Sequence, residues 1–546
     1  MAETITGETF IMEDSKFYRR RWIALIFLAF SLLIIALDNT VLNLALPSIA
    51  KGLGSNASAL QWIVDAYILV FAGLLLTSGA IGDRFGRKTT LQAGLTIFGL
   101  FSIGAALSAS TGFLIGMRAA MGVGAALIMP STLSMLTATF RDPKERAQAI
   151  AIWAATWGLG MGLGPLIGGW LLAHYSWSSV FYVNVPIVAT ALVGGYFFSQ
   201  NSRAEHPRKL DIAGSLLSMA GMFALVYAII RAGIDGWTAS QVLLAFAAAA
   251  VLLAIFAVRE SRAAEPMLPL SFFKNASFTG ANAALTLIAF GLVGSSFAMS
   301  QYLQSVLGYT PLQAGVRLLP MAIMSFLSAS SSARVAHRMG TKFTVFLGII
   351  IAAMGFLYFS IIAGVNTSYL PIAVGMCIIS LGIGLTMSPA TNSVMGSIPV
   401  AEAGIGSAMN DTTRQIGSAL GVAVIGTVMN STYLRKINLI SWPQGTPERT
   451  IAAVRNSIQG AQIAAQNAPT QLAQLIASKA EQAFVNGMSH GLVMTAFAMV
   501  AASALTLVIL PAKVRPFSET QRSTRKGIAL RDSSGVPSTK PDADTE

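Results

Sequence analysis

Cysteine is all but missing from this chain. A single one, Cys377, lies in an apolar segment among 546 residues, which excludes a disulfide framework and any multi-cysteine metal site. Charge is scarce as well. Only 11% of residues are charged against 54% hydrophobic, a balance that excludes a soluble globular chain. No G-x-x-x-x-G-K-[ST] loop occurs, so the chain does not itself draw on ATP. Neither a clustered His or Cys metal site nor a nucleophile–base pair is recognisable. No metal, cofactor or catalytic residue is therefore expected, and the chain does not read as an enzyme.

What it does have is apolar length. Fourteen apolar segments recur between short polar breaks, over 22–47, 59–81, 90–109, 112–137, 147–172, 179–199, 212–232, 241–258, 277–300, 312–333, 343–363, 369–395, 402–430 and 489–511. About 20 mostly apolar residues suffice for a helix to cross a bilayer. The first run far exceeds the roughly 7–15 apolar residues of a cleavable signal, so it is expected to remain as a span. The net charge of +13, taken alone, suggests nucleic acid; its distribution indicates membrane topology instead. Lys16, Arg19, Arg20 and Arg21 precede the first span. Alternate short loops then hold Arg84, Arg87 and Lys88; Arg141, Lys144 and Arg146; Arg203, Arg208 and Lys209; Arg259, Arg262 and Lys274; and Arg334, Arg338 and Lys342. The opposite short loops and nearby span ends hold only Lys51, Arg231 and Arg317. The positive-inside rule then predicts a multi-pass protein of the cytoplasmic (inner) membrane with both termini cytoplasmic.

An internal echo organises the spans. The loop AIGDRFGRK after span two matches ARVAHRMGTK after span ten, with Arg84 on Arg338, Gly86 on Gly340 and Lys88 on Lys342. The fold class expected is an all-α integral membrane protein of 14 transmembrane helices, two six-helix bundles around a two-helix insert. The boundaries are a cytoplasmic tail at 1–21, bundles at 22–200 and 276–511, the insert at 201–275, and a disordered cytoplasmic tail at 512–546. The insert's spans carry almost no polar residues and are placed outside any pathway. Residues 431–488 form the longest outer loop, in which the Ala- and Gln-rich part from Glu448 to Phe484 suggests short amphipathic helices lying on the outer surface.

The polar residues inside the spans carry the chemistry. Asp38 sits within the first span, where an ionisable group costs roughly 2.5–3.5 kcal/mol on insertion scales and therefore faces a partner or a wet cavity. Asn39 and Asn43, four apart, share a helix face and with Thr40 extend a polar stripe; Asn43 is a candidate contact for proton or substrate. Arg118 lies about 9 Å below the outer surface, near the depth of Asp65, so the two acids and the guanidinium nearly balance. Arg118 as a structural strut stays open. Asp411 and Arg414, three apart, pair on one face of span thirteen, either neutralising each other or contacting substrate. In GAIGDRFGRKTTL, with Arg84 and Arg87 among its topology-setting charges, Gly82 and Gly86 permit a tight turn, and Asp83 can accept from helix N-terminal amides or from a nearby Arg. Gly160, Gly164 and Gly168, spaced by four, offer a small-residue strip to a neighbouring helix, and Pro165 bends it. Trp153 and Trp157 could line an aromatic wall or simply pack.

These stretches resemble a known family. GAIGDRFGRK is similar to the signature loop of the major facilitator superfamily. FLIGMRAAMGVGAAL is similar to its fourth-span motif, and GLGMGLGPLIGG to the fifth-span motif associated with antiporters. ALDNTVLNLALP, DTTRQIGSALG and QYLQSVLGYTPLQAGVRLLP resemble the fourteen-span drug:proton antiporters. One departure is His337 where the first half has Asp83. The resemblance implies alternating access and export of lipophilic, often cationic compounds. The residues imply that a proton gradient, through Asp38 with Asp65 coupled, supplies the energy. Expected partners are small lipophilic substrates, protons and the bilayer, with no nucleic acid and a monomer as the working unit. A permease or exporter for one metabolite or lipid is the alternative.

Overall fold

The computed structural model describes residues 19–55, 57–202, 211–263, 266, 268–399, 402–443 and 446–511. Most of both tails, and Lys16, Arg203, Arg208 and Lys209 of the charge pattern, lie outside these residues.

Among the described residues, fourteen helices are long and apolar enough to cross a membrane. Spans 1 to 6 are Arg21–Leu46, Trp62–Phe85, Arg87–Ala106, Thr111–Thr139, Pro143–His174 and Ser179–Phe198. Spans 7 and 8 are Ile212–Ala232 and Ser240–Arg262. Spans 9 to 14 are Ala276–Val306, Leu312–Met339, Thr341–Ile362, Tyr369–Gly396, Ala403–Ile437 and Thr470–Ile509. The starts are written in the sequence. Asp142 accepts from the amides of Lys144 and Glu145 with Pro143 at the first helical position, and Thr310 and Gln313 cap each other reciprocally ahead of span 10.

The two bundles repeat each other. Span 5 packs on span 1 of its own bundle and on span 10 of the other; span 13 packs likewise on spans 9 and 2. The echoed loops match in detail. Gly86 and Gly340 have φ of 106° and 83°, where a side chain is disfavoured. Four residues on, the Thr90 and Thr344 hydroxyls donate to the respective glycine carbonyls at 3.0 and 2.8 Å. The end that carries these loops is called the basic end below.

The insert does more than stand aside. Span 7 packs on span 8, on span 2 and on span 13, so it covers a seam between the bundles. Leu69 and Ala72 of span 2 meet Met222 and Val226 of span 7, with Ile416 of span 13 against them.

The largest difference from expectation lies in 431–488. Span 13 continues to Ile437 and span 14 begins at Thr470, leaving 438–469 as the connection. A 40-residue helix spans about 60 Å at 1.5 Å per residue, roughly twice a bilayer core, so span 14 projects beyond it. Two short helices, Glu448–Asn456 and Ile458–Gln466, do form, but they are packed inward. Val454, Ile458 and Ala461 are buried with Ile476, Ala480 and Ala483 of span 14. The Tyr433 hydroxyl donates to the Val454 carbonyl at 2.7 Å, and the Gln462 amide to the Ser305 carbonyl at 2.7 Å. The Ala and Gln residues that suggested surface helices instead build a cap over the ends of spans 9, 13 and 14.

Candidate functional site

Asp38 is buried and paired. Its Oδ2 accepts from Arg118 Nη1 of span 4 at 2.5 Å, and its Oδ1 from the Asn184 amide of span 6 at 3.1 Å. A buried ion pair is tolerated when its spare donors and acceptors find partners. Arg118 Nε donates to the Ile63 carbonyl at 3.2 Å, and its guanidinium lies 4.2 Å from the Tyr67 ring centre. Asn184 also donates to Ser102 at 3.1 Å, and Ser102 to the Phe181 carbonyl at 2.9 Å. Span 6 breaks at Val183 between the helices Ser179–Tyr182 and Asn184–Phe198, and that break sets Asn184 at the carboxylate. Asn184, Tyr67 and Ser102 were not singled out from the sequence. The visible signal for Asn184 was an amide in an apolar run directly before Val-Pro.

Two expected neighbours are elsewhere. Asn43 is exposed and donates back to the Asn39 carbonyl at 3.0 Å, while Asn39 and Thr40 also donate to carbonyls one turn earlier in their own helix. The polar stripe is thus largely self-satisfied, and Asn43 does not join the Asp38 pocket. Asp65 is half-buried and interacts electrostatically with Arg231 of span 7, which also pairs with Asp235 at 3.7 Å. Two residues along a helix is about 200° of rotation, so Asp65 and Tyr67 face different ways.

The signature loop is a lock between the bundles. Asp83 Oδ1 accepts from Arg87 Nε and Nη2 at 2.9 and 2.7 Å. The same carboxylate accepts from the amides of Gly404 and Ile405, at 3.0 and 3.2 Å, in the first turn of span 13. A helix N-terminus favours an anion, so Asp83 holds span 13 against span 2 at the basic end. The backbones touch here: a Cβ on Gly404 would meet the Gly79 carbonyl at 2.5 Å and the Asp83 carboxyl at 2.6 Å. Gly86 supplies the positive φ after the lock, Gly82 accepts its amide at 3.1 Å, and Arg84 lies over Phe85 at 5.6 Å. His337, the counterpart of Asp83, is exposed.

Span 5 uses two small-residue faces where one was expected. Gly160, Gly164 and Gly168 meet Ala36, Thr40 and Val41 of span 1. On the other side Gly158, Gly162 and Gly169 meet Ser325, Ala322 and Leu312 of span 10, with Pro165 against Gly315. In span 13, Gly417 and Gly421 lie against the backbone of Thr286 and Phe290 in span 9.

Between the bundles is a narrow cavity of about 30 Å³. That is room for little more than a water molecule, far below the ~300–1,000 Å³ typical for drug-sized ligands, so a substrate enters only as the bundles part. Its walls are Met129, Trp157, Met387, an apolar strip of span 9 from Leu285 to Val293, and Asp411, Arg414, Gln415 and Ser418 of span 13. Asp38 is not among them. Asp411 and Arg414 pair at 3.6 Å, and the Asn410 amide donates to Asp411 at 3.2 Å. Trp153 is buried behind the wall, its indole N–H donating to Thr132 of span 4 at 3.2 Å. Arg118, Met121, Ala125, Met129 and Thr132 recur at steps of three and four, so one face of span 4 runs from the Asp38 pocket to the cavity.

A model of the Major Facilitator Superfamily matches residues 28–422. The chain is 38% identical over 487 residues to the multidrug efflux pump LfrA of Mycolicibacterium smegmatis, covering 89% of this chain and 95% of that protein. It is 32% identical over 508 residues to the tetracenomycin C resistance and export protein of Streptomyces glaucescens, covering 91% and 93% respectively. It is 32% identical over 472 residues to the methyl viologen resistance protein SmvA of Salmonella typhimurium, covering 85% and 93%. Among solved structures, the human organic anion transporter MFSD10 superposes with a TM-score of 0.56 at 14% identity, over 89% of this chain and 100% of that one, a likeness of fold alone.

Proposed function

The chain belongs to the major facilitator superfamily, and on that premise we propose that it is a proton-coupled antiporter exporting lipophilic, often cationic, small molecules. It works by alternating access in the cytoplasmic membrane, with both termini and the basic end on the cytoplasmic side. The observation that carries this reading is the separation of two buried acids. Asp38 is sealed with Arg118 and Asn184 inside the first bundle, whereas Asp411 stands in the wall of the cavity between bundles.

That separation divides the labour. A proton reaching Asp38 cancels the charge that holds Arg118 and Asn184, and frees span 4 to shift against spans 1 and 6. The same face of span 4 carries Met129 into the cavity and Thr132 to Trp153, so the shift reaches the substrate wall. Linkage requires the converse: a substrate that changes the wall changes the proton affinity of Asp38 by the same factor. Opening toward the cytoplasm must break the contacts of Asp83 with Gly404 and Ile405. The relatives named for multidrug efflux and for resistance to tetracenomycin C and methyl viologen support lipophilic drugs as the cargo.

Proteoliposomes with an imposed pH gradient test the coupling. Wild type should move ethidium against its gradient, and Asp38→Asn should bind it but fail to couple. Efflux by Asp38→Asn near wild-type rates would remove Asp38 from the mechanism.

A further inference from the structure

Arg118 and Arg414 each lie within a span over an aromatic ring, and they are held very differently. Arg118 is wired in by a tight carboxylate pair, a carbonyl and the Tyr67 ring. Arg414 sits at the cavity wall with its guanidinium carbon 5.1 Å from the Trp157 ring centre and 5.8 Å from that of Trp153. Its link to Asp411 is 3.6 Å, longer than a hydrogen bond. Both Arg414 Nη1 and Asp411 Oδ2 lack a hydrogen-bond partner among the described residues. A planar delocalised cation thus rests on an indole beside a carboxylate without the bonds that would fix it there.

We propose that Arg414 is a resident stand-in for the transported cation, occupying the platform of Trp157 and Asp411 that an entering substrate takes over. This deepens the exporter reading and rests on it. The favoured substrates are aromatic cations with spread charge, because the platform already accepts a guanidinium through its π face and its charge. Two cations cannot both be neutralised by one buried carboxylate, so substrate and Arg414 exclude each other. The arginine side chain is long and leaves by rotamer change alone, keeping the site neutral until a substrate arrives. Between turnovers Asp411 therefore never stands as a lone buried anion, which would be costly.

The test measures equilibrium binding of ethidium to the full-length protein in detergent by fluorescence anisotropy, with tetraphenylphosphonium as competitor and no pH gradient. Removing the tenant by Arg414→Gln or Arg414→Met should tighten ethidium binding, and Trp157→Ala should weaken it, each by roughly tenfold. Arg414→Lys keeps the charge as a compact, strongly hydrated ammonium and should fall between wild type and Arg414→Gln. It also serves where the neutral variants fail to fold, as judged by size-exclusion profile and melting. Ethidium binding that is unchanged or weaker in every folded Arg414 variant would overturn the proposal, because Arg414 would then be a ligand or a spectator rather than a competitor. A wild type that binds ethidium with this pattern but moves none in proteoliposomes would refute the exporter reading and leave the competition standing.

Discussion

In the Asp38 pocket Arg118 is held by a carboxylate, a backbone carbonyl and an aromatic ring. Replacing Arg118 by Met leaves Asp38 as an unpaired buried charge and should cost about 3–5 kcal/mol, measured by unfolding in detergent. Adding Asp38→Leu should recover much of that loss while transport stays dead, because paired removal of buried charges is close to neutral for stability. Asn184→Ala removes one hydrogen bond to a charged group, a loss of about 1.5–3 kcal/mol, and should cut gradient-driven efflux severalfold with normal membrane insertion. At this scale the charged members were legible, since a carboxylate or guanidinium within an apolar run needs a partner. Asn184 and Tyr67 were not, because such residues are ordinary in spans and only the packing of spans 2 and 6 brings them to the pair.

Several of the closest helix approaches in this protein are made at glycines. At the basic end the limiting contact is Gly404 on Gly79, so Gly404→Ala should loosen the Asp83 lock. Thiol labelling of a cysteine placed near Asp83, in a Cys377→Ser background, should speed up; unchanged labelling would show that the seam can absorb a methyl group. A second tie lies on the insert, where Arg259 donates to both oxygens of Asp211 at 2.8 Å, one residue ahead of span 7. The Arg259 hydrogen bond holds the Asp211 carboxyl below its ordinary range. A lowered native value means the unfolded chain takes up the proton first. The contribution is therefore full above about pH 4 and fades only as the medium is acidified through the lowered value. Asp211→Asn should lower the melting temperature slightly at pH 7, with the difference shrinking toward pH 3. The glycine spacing of span 5 announced one close neighbour in the sequence. Gly158, Gly162 and Gly169 went unread because a helix face is known to be an interface only once its partner is in place.

Across the whole molecule, the two bundles meet along paired seams, span 5 on span 10 and span 13 on span 2, and alternating access must part them by turns. A Cβ on Gly79 would lie 2.7 Å from that of Ala408 on the opposite bundle. An opening of about 1 Å brings such a pair to the usual disulfide separation. The double variant Gly79→Cys with Ala408→Cys should cross-link under oxidation, stop efflux, and recover on reduction. Efflux that continues with the bond formed would mean the basic end need not open. Span 7 packs on span 2 and on span 13, on both sides of this seam.

The sequence by itself determined the number of spans, their order, the repeat and the family. Each of these follows from local quantities: apolar run length, loop charge, and backbone angles that only glycine tolerates. It also marked Asp38, Arg118, Asp83 and Asp411 as residues that need partners. Only the tertiary structure decided which partners they have. Asp38 turned to Arg118 and Asn184, and Asp411 to the cavity, because a helix shows every face until neighbouring helices choose among them. The cap over 438–469 belongs to that second class as well: its short apolar positions fit a membrane surface or a protein core equally, and burial against spans 9, 13 and 14 settled the choice.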